Sequence, residues 1–323
     1  MATSSSEIAT RKRAAETPLV VAESSGTGFV RPVSMALWQG ALKQPSSWAE
    51  EVETAAKSAK SKGAELLMFP ELFLPGYHLW CDMEEDFDCG AAEIELTRIA
   101  RDVDLALCIG FPEPIRSPAS MADKGLYWNS NILIDQRGEV KLRYRKHHTW
   151  GNEANLGLRA SDDPLEVTEV VFKKEGAADC KVRVGMLICY DVEFPEMVRI
   201  LACQPHQVEL LLVPTALPYT EPNAALRIIP SRAMENRIFV AYCNYPCVER
   251  VSKDFFCGHS CIAGPDGNFV AGPCDWREEG LLLGEVGWTE HLRWLAKETP
   301  YLRDRRPDFY YRISKHCGHD FTE

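Results

Sequence analysis

The sequence predicts an α/β protein in which helices cover sheets. Short apolar runs and amphipathic helical stretches alternate from Arg31 onward, no linker interrupts them, and 323 residues that are 46% hydrophobic can bury a substantial core. Val33 to Trp38 reads as the first strand. Ser46 or Ser47 is placed to cap a helix with Trp48, Val52, Ala55 and Ala59 on one face, stopped by Gly63. Glu65 to Phe69 follows as a buried strand, Ala91 to Val103 as a helix and Leu105 to Phe111 as a strand. Trp128 to Asp135 pairs with Glu139 to Arg145 across the turn Gln136-Arg137-Gly138. The pattern then repeats, with strands at Val182 to Ile188, Val208 to Pro214, Ile238 to Asn244, Gly258 to Ala263 and Leu281 to Val286. Helices are expected at Pro195 to Ala202 and Asn223 to Asn236.

Composition narrows the function classes. A net charge of -11 offers no basic face for nucleic acid, and no stretch approaches the roughly 18 apolar residues of a membrane span. A small-molecule substrate fits better. Residues 1–30 read as a disordered extension, rich in Ser, Thr, Ala and Glu with one basic cluster, Arg11-Lys12-Arg13; residues 31–323 read as one domain. Glu7, Glu16 and Glu23 argue against an organelle transit peptide, because such leaders are poor in acids. The twelve cysteines are scattered through predicted elements, which points to a reducing, cytoplasmic setting rather than a disulfide framework. Neither Cys257-Gly-His-Ser-Cys261 nor His147-His148 has a second half at zinc-site spacing, so no metal is expected.

Cys189 stands where the apolar run Val182 to Ile188 breaks into the acidic turn Tyr190-Asp191-Val192-Glu193-Phe194-Pro195. Pro195 is suited to open a helix, so the thiol occupies a strand-to-helix corner. A nucleophile at such a corner projects from the sheet, and the next N–H, that of Tyr190, can face a developing anion. A cysteine in an apolar run is also often a small buried hydrophobe, so this position alone leaves both readings open.

Two charged residues break apolar patterns in the same way. Glu71 ends the run Leu66 to Pro70 and is followed by Leu72-Phe73-Leu74-Pro75-Gly76-Tyr77, a stretch unlike a solvated loop. Burial raises a carboxylate's pKa and suits it to proton transfer. In Lys141 to Lys146 the period-2 rule groups Lys141, Arg143 and Arg145 on one face and Leu142, Tyr144 and Lys146 on the other. An ammonium on that second face needs a carboxylate or a developing anion as partner; the plainer alternative is a basic surface strand.

Phe69 to Tyr77, Tyr144 to His148 and Gly185 to Glu196 together resemble the three signature segments of the nitrilase or carbon-nitrogen hydrolase superfamily, in order and at suitable spacing. The resemblance continues through Val213-Pro214-Thr215-Ala216, Arg232 to Arg237, Gly264 to Gly267 and the tail Arg303-Asp304-Arg305-Arg306-Pro307, covering roughly residues 31 to 312. Cys189-Tyr-Asp-Val-Glu-Phe-Pro-Glu196 and the Arg-rich tail look most like the aliphatic amidase branch, which includes stereoselective amidases and 5-aminopentanamidases. The resemblance implies a four-layer αββα sandwich, no cofactor, and a catalytic triad of Glu71, Lys146 and Cys189. It implies a second glutamate after the lysine, matched by Glu153, and a homodimer with the tail in the contact.

The chemistry follows from the residue types. An amide carbonyl is a poor electrophile, so its hydrolysis benefits from a thiolate nucleophile, a base that hands the proton to the leaving nitrogen, and oxyanion donors worth about 3 to 4 kcal/mol each. Cys189, Glu71, and Lys146 with the Tyr190 N–H fill these roles; Glu153 orients Lys146 or holds substrate. Tyr77, Trp80 and Trp150 are candidates to wall a pocket, with Thr215 and Ala216 beside them. Glu193 or Asp191 can attract an amine-bearing substrate, or act as an ordinary ion-pair partner or helix N-terminal acid before Pro195. Ala154 to Arg159 departs from the aromatic-containing stretch of amidase relatives. The expected activity is therefore release of ammonia from a small aliphatic amide, with nitrilase or N-carbamoyl hydrolase chemistry on the same triad, or a catalytically silent scaffold, as alternatives.

Overall fold

The computed structural model describes residues 28–77, 87–115, 125–247, 256–310 and residue 313. The expected disordered extension therefore lies almost wholly outside the described residues, as does Trp80. Strand β1 (Val33–Gln39) leads into helix α1 (Trp48–Ser61), β2 (Leu66–Met68), α2 (Cys89–Val103), β3 (Ala106–Pro114), β4 (Tyr127–Ile134) and β5 (Val140–Arg145). After the short β6 (Leu158–Arg159) come β7 (Val167–Phe172), β8 (Cys180–Met186), α3 (Pro195–Ala202) and β9 (Leu210–Pro214). A π turn (Ala224–Ile228) runs into α4 (Ile229–Asn236), followed by β10 (Phe239–Cys243), β11 (Cys261–Ala263), β12 (Phe269–Ala271), β13 (Gly280–Val286), α5 (Glu290–Glu298) and α6 (Pro307–Tyr310).

These strands form two sheets, ordered β13-β1-β2-β3-β4-β5, with β6 beside β4, and β12-β11-β10-β9-β8-β7. Each has a parallel triplet at its centre: Leu66 of β2 pairs with Met35 and Ala106, and Leu210 of β9 pairs with Val184 and Phe239. Parallel strands bury both faces, which is why their sequences are apolar throughout. In the first sheet Met35, Leu37, Leu66, Met68, Ala106, Cys108, Leu142 and Tyr144 turn toward the second sheet. Their neighbours Ala36, Leu67, Leu107, Ile109 and Ile132 pack under Val52, Ala55, Ala59, Leu96 and Ile99 of α1 and α2. On the second sheet Val198, Leu201, Ile229 and Ala233 of α3 and α4 close the other side. Two sheets face to face with a helical layer outside each give the four-layer αββα sandwich.

Three expectations change in detail. Ser47 precedes α1 but does not cap it: Pro45–Ser47 forms a 3₁₀ turn, and the Ser47 hydroxyl donates to the Gln44 carbonyl while lying 3.0 Å from a Glu51 oxygen. The strand expected from Gly258 starts only at Cys261, because Gly258 and His259 both take φ of +58°, which breaks extended backbone. The helix expected over Asn223 to Asn236 begins with the π turn. Pro230 has no N–H to return to the preceding turn, so the regular α ladder is restored only beyond it. No helix among the described residues is long and apolar enough to cross a membrane.

Candidate active site

The topology brings the sequence-predicted residues to one edge. Two antiparallel steps, β3 to β4 and β4 to β5, return β5 to the direction of β2 and β3, so its carboxyl end emerges beside theirs. Glu71 follows β2 and Lys146 follows β5. Cys189 follows β8 in the facing sheet, and Thr215-Ala216 follow its parallel neighbour β9. The carboxyl ends of parallel strands are where α/β proteins build their sites.

Leu142, Tyr144 and Lys146 share the buried face as alternation requires, while Arg143 and Arg145 turn outward to Glu93 and Glu113. Lys146, only 1% exposed, donates to Glu71 Oε1 at 2.8 Å and to Glu153 Oε1 and Oε2 at 2.8 and 3.0 Å. Glu71 Oε1 also accepts from Asn129 Nδ2 at 2.7 Å, while Oε2 is buried with no hydrogen-bond partner among the described residues. Pinning one oxygen leaves the other free to take a proton. The Glu71 backbone is fixed as well, its N–H donating to the Thr215 carbonyl at 3.3 Å and its carbonyl accepting the Tyr245 hydroxyl at 3.0 Å. Glu153 accepts the Tyr77 hydroxyl at 2.7 Å and the Trp150 N–H at 2.8 Å.

Cys189 lies at the corner with φ of +50°, a left-handed conformation costing a non-glycine residue about 1 to 2 kcal/mol. It opens a 3₁₀ turn, Cys189–Glu193, whose Asp191 N–H returns to the Ile188 carbonyl at 3.1 Å. The Cys189 and Tyr190 N–H groups precede that bond, so they start the turn without an intrahelical acceptor. Thr215-Ala216 bears on both halves of the site: the Thr215 carbonyl receives the Glu71 N–H, and the Ala216 backbone N–H pulls the Cys189 pKa down.

The electrostatics fix the resting protonation. Burial holds the Cys189 thiol well above its ordinary pKa and the Glu71 charge raises it further, against opposing pulls from Lys146 and the Ala216 N–H. Cys189 therefore rests as a thiol, and any attack by its sulfur would need a base to take the proton. Burial also raises Glu71, with Lys146 lowering it and Glu153 raising it. Burial alone would lower the Lys146 pKa, but Glu71, Glu153 and Cys189 together hold it well above its usual value, so it stays an ammonium. Glu153→Gln removes an influence that raises Glu71 and leaves Lys146 fewer competing acceptors, and both changes lower the Glu71 pKa. The acid limb of kcat/KM, which reports ionisation of the free enzyme's base, should move to lower pH while kcat falls about tenfold. A pH–rate profile checks this, and a limb moved to higher pH contradicts the coupling.

The structure thus brings together Glu71, Lys146, Glu153, Cys189, Tyr77, Thr215 and Ala216. Tyr77, expected as a pocket wall, spends its hydroxyl on Glu153 and sets its ring edge-on to Phe256. Trp150 meets the network through its backbone and leaves its ring partly exposed. Asp191, read as a possible attractor of amines, is fully buried and occupied by protein donors, because both its oxygens face backbone and side-chain hydrogens. Glu193 is half-buried, and its carboxyl is raised by burial and by Glu221 while Arg232 and Lys146 lower it. Asn129 was missed. It stands with Asn131 on one face of β4, two buried amides at period-2 spacing with Ser130 between them in a strand whose other residues are apolar or aromatic, and that pattern is the signal that could have found it. His147 turns its ring nitrogens to the Arg145 and Asp163 carbonyls, and no trio of metal-ligating side chains converges among the described residues.

Comparison with known proteins gives a consistent pattern. Residues 35–289 match the family model of the carbon-nitrogen hydrolases. A Pseudomonas protegens protein named as a hydrolase in the pqqF 5′ region is 35% identical over 78% of this chain and 81% of its own length. The (R)-stereoselective amidase of a Pseudomonas species is 30% identical over 75% of this chain and 80% of its own. Among solved structures, an amidase of the nitrilase superfamily from Nesterenkonia AN1 superimposes with a TM-score of 0.70 at 30% identity, covering 87% of this chain and 97% of that one. A mutant of that amidase in complex with butyramide matches with a TM-score of 0.69 at 29% identity, over 88% of this chain and 97% of that one.

Proposed function

The chain belongs to the carbon-nitrogen hydrolase family and is a nitrilase-superfamily amidase, acting on C–N bonds other than peptide bonds; we propose that it converts a small aliphatic amide to carboxylate and ammonia through a thioester on Cys189. The observation that carries this reading is the buried Glu71–Lys146–Glu153 network of one sheet, tied by the Glu71 N–H to the Thr215 carbonyl of the other sheet, which also carries the buried Cys189 thiol. Glu71 takes the thiol proton as sulfur attacks the carbonyl carbon, and the oxyanion is held by Lys146 and the Tyr190 N–H. Glu71 then gives that proton to the nitrogen, the C–N bond breaks and ammonia leaves. In deacylation Glu71 draws a proton from water as the oxygen attacks the thioester; the thiolate departs and takes the proton back, releasing the acid. Lys146 spreads its three N–H donors over Glu71 Oε1 and both Glu153 oxygens, so giving up the longer of its two Glu153 contacts frees one donor for the oxyanion.

Substrate selection falls to the rim. Trp150 offers a partly exposed aromatic face, and Glu193, within the electrostatic reach of Lys146, favours an acyl chain that is neutral or carries an amine. The test is ammonia release from a panel of short amides, ω-amino amides, carbamoyl compounds and nitriles, with Cys189→Ala as the blank. Short aliphatic amides should be consumed with one ammonia per carboxylate. Consumption of nitriles, or carbon dioxide released with the ammonia, would overturn the substrate assignment, and a flat response across the panel would overturn the activity.

A further inference from the structure

We propose that Asp191 is the positioning residue that holds Lys146 and Cys189 at their working separation across the two sheets. Its carboxylate is fully buried and receives donors from both motif segments at once. From the lysine segment, Oδ2 accepts the Tyr144 hydroxyl at 2.8 Å and the His147 N–H at 3.3 Å, while Oδ1 accepts the His148 N–H at 2.9 Å and lies 2.8 Å from His148 Nδ1. From the cysteine segment, Oδ2 accepts the Ile188 N–H at 3.4 Å. Lys146 therefore lies between Tyr144 and His147, and Cys189 between Ile188 and Asp191 itself. Each is flanked by groups tied to the same two oxygens.

The geometry explains why a carboxylate is required. Cys189 sits in a left-handed conformation that its neighbours must enforce, and the loop after β5 must hold an ammonium against two acids. An ionised carboxylate accepts from every direction and makes hydrogen bonds roughly twice as strong as a neutral acceptor does. An amide in its place turns an NH2 toward donors on one side or the other. His148 completes the clamp, its ring stacked on Phe194 at 4.1 Å, which fixes the far end of the same turn. The role is one of placement. Asp191 touches neither the sulfur nor the ammonium, and its effect passes through the backbone on either side of each.

This inference rests on the thiol mechanism above, so its test includes a reading that needs no amide substrate. Asp191→Asn should lower kcat about 10- to 100-fold with KM changed less than about twofold, the loss expected when reacting groups shift by a fraction of an ångström. The same variant should slow iodoacetamide alkylation of Cys189, read by peptide mass mapping, to a similar degree. If the wild type hydrolyses no amide, alkylation still reports on Asp191; if alkylation is unchanged while amides are hydrolysed normally, only the positioning role is lost. Should Asp191→Asn fail to fold, Tyr144→Phe and His148→Ala each remove one donor. Each should cut kcat and alkylation about 2- to 5-fold in a protein that stays folded, its melting temperature lowered by only a few degrees. A folded Asp191→Asn, or both donor variants, with wild-type kcat and alkylation rate would overturn the proposal.

Discussion

Cys189→Ala should abolish turnover, by a factor on the order of 10⁵ or more, while leaving the fold intact. A nucleophile that works as a unit with its base loses nearly all catalysis when removed, since the base then has no proton to take and the oxyanion donors have no adduct to hold. The structural cost is small by comparison. One buried sulfur is lost, about 1 kcal/mol, and in a chain of this length that is a shift of about 2 °C in melting temperature. Alanine meets the same left-handed backbone penalty as cysteine at φ of +50°, so the corner gains no new strain. Ammonia assays beside thermal melts check both halves. A purified, folded variant that still releases ammonia would rule out Cys189 as nucleophile.

Lys146→Met should lose activity and stability together. Methionine keeps the volume but leaves Glu71 and Glu153 facing each other, each almost wholly buried and deprived of the ammonium they share. Breaking a buried ion pair from one side costs about 3 to 5 kcal/mol, here a fall of roughly 5 to 15 °C in melting temperature. The pH dependence gives the sign. Without Lys146 only the Asn129 hydrogen bond still opposes the burial that already raises Glu71, so the folded-state pKa stands further above the unfolded value. A group raised in this way binds its proton more tightly in the folded state. The variant should therefore be closest to the wild type in mild acid and lose ground as pH rises through the folded pKa. Adding Glu71→Gln should recover part of the loss, and a variant whose deficit shrinks as pH rises would contradict the account.

Most of the site was legible because charge interrupts pattern. Glu71 ends an apolar run and Lys146 falls on the apolar face of an alternating strand, and burial of each follows from period alone. Glu153 carries no such mark. It lies in a loop of turns, and only its likeness to the family pattern picked it out. Asp191 was left open between an attractor of amines and an ordinary ion-pair partner, because the lysine-segment groups it binds lie 43 to 47 residues away in sequence, on the opposite sheet, where spacing rules have no reach. The edge strand β7 escaped because only Val170 and Phe172 are buried, while Glu169 faces out, an acidic stretch precedes the strand and Lys173-Lys174-Glu175 follows it. Conversely, Gly258 to Ala263 was read as too long a strand, since a left-handed histidine leaves no trace in composition.

That Glu71 and Lys146 come from one sheet and Cys189 from the other also bears on how the proposed site is assembled during folding. Glu71 and Lys146 are 75 residues apart, and the lysine segment meets the cysteine segment across a further 43. Helices and hairpins such as β4–β5 can form from local contacts, but no local element contains two of the three groups. Activity is therefore a property of the docked pair of sheets, and on refolding from denaturant it should return only with the slowest phase, well after most helical signal has recovered. Stopped-flow circular dichroism beside activity regain would show the two curves separating, and coincident curves would mean that helices and sandwich form in one step.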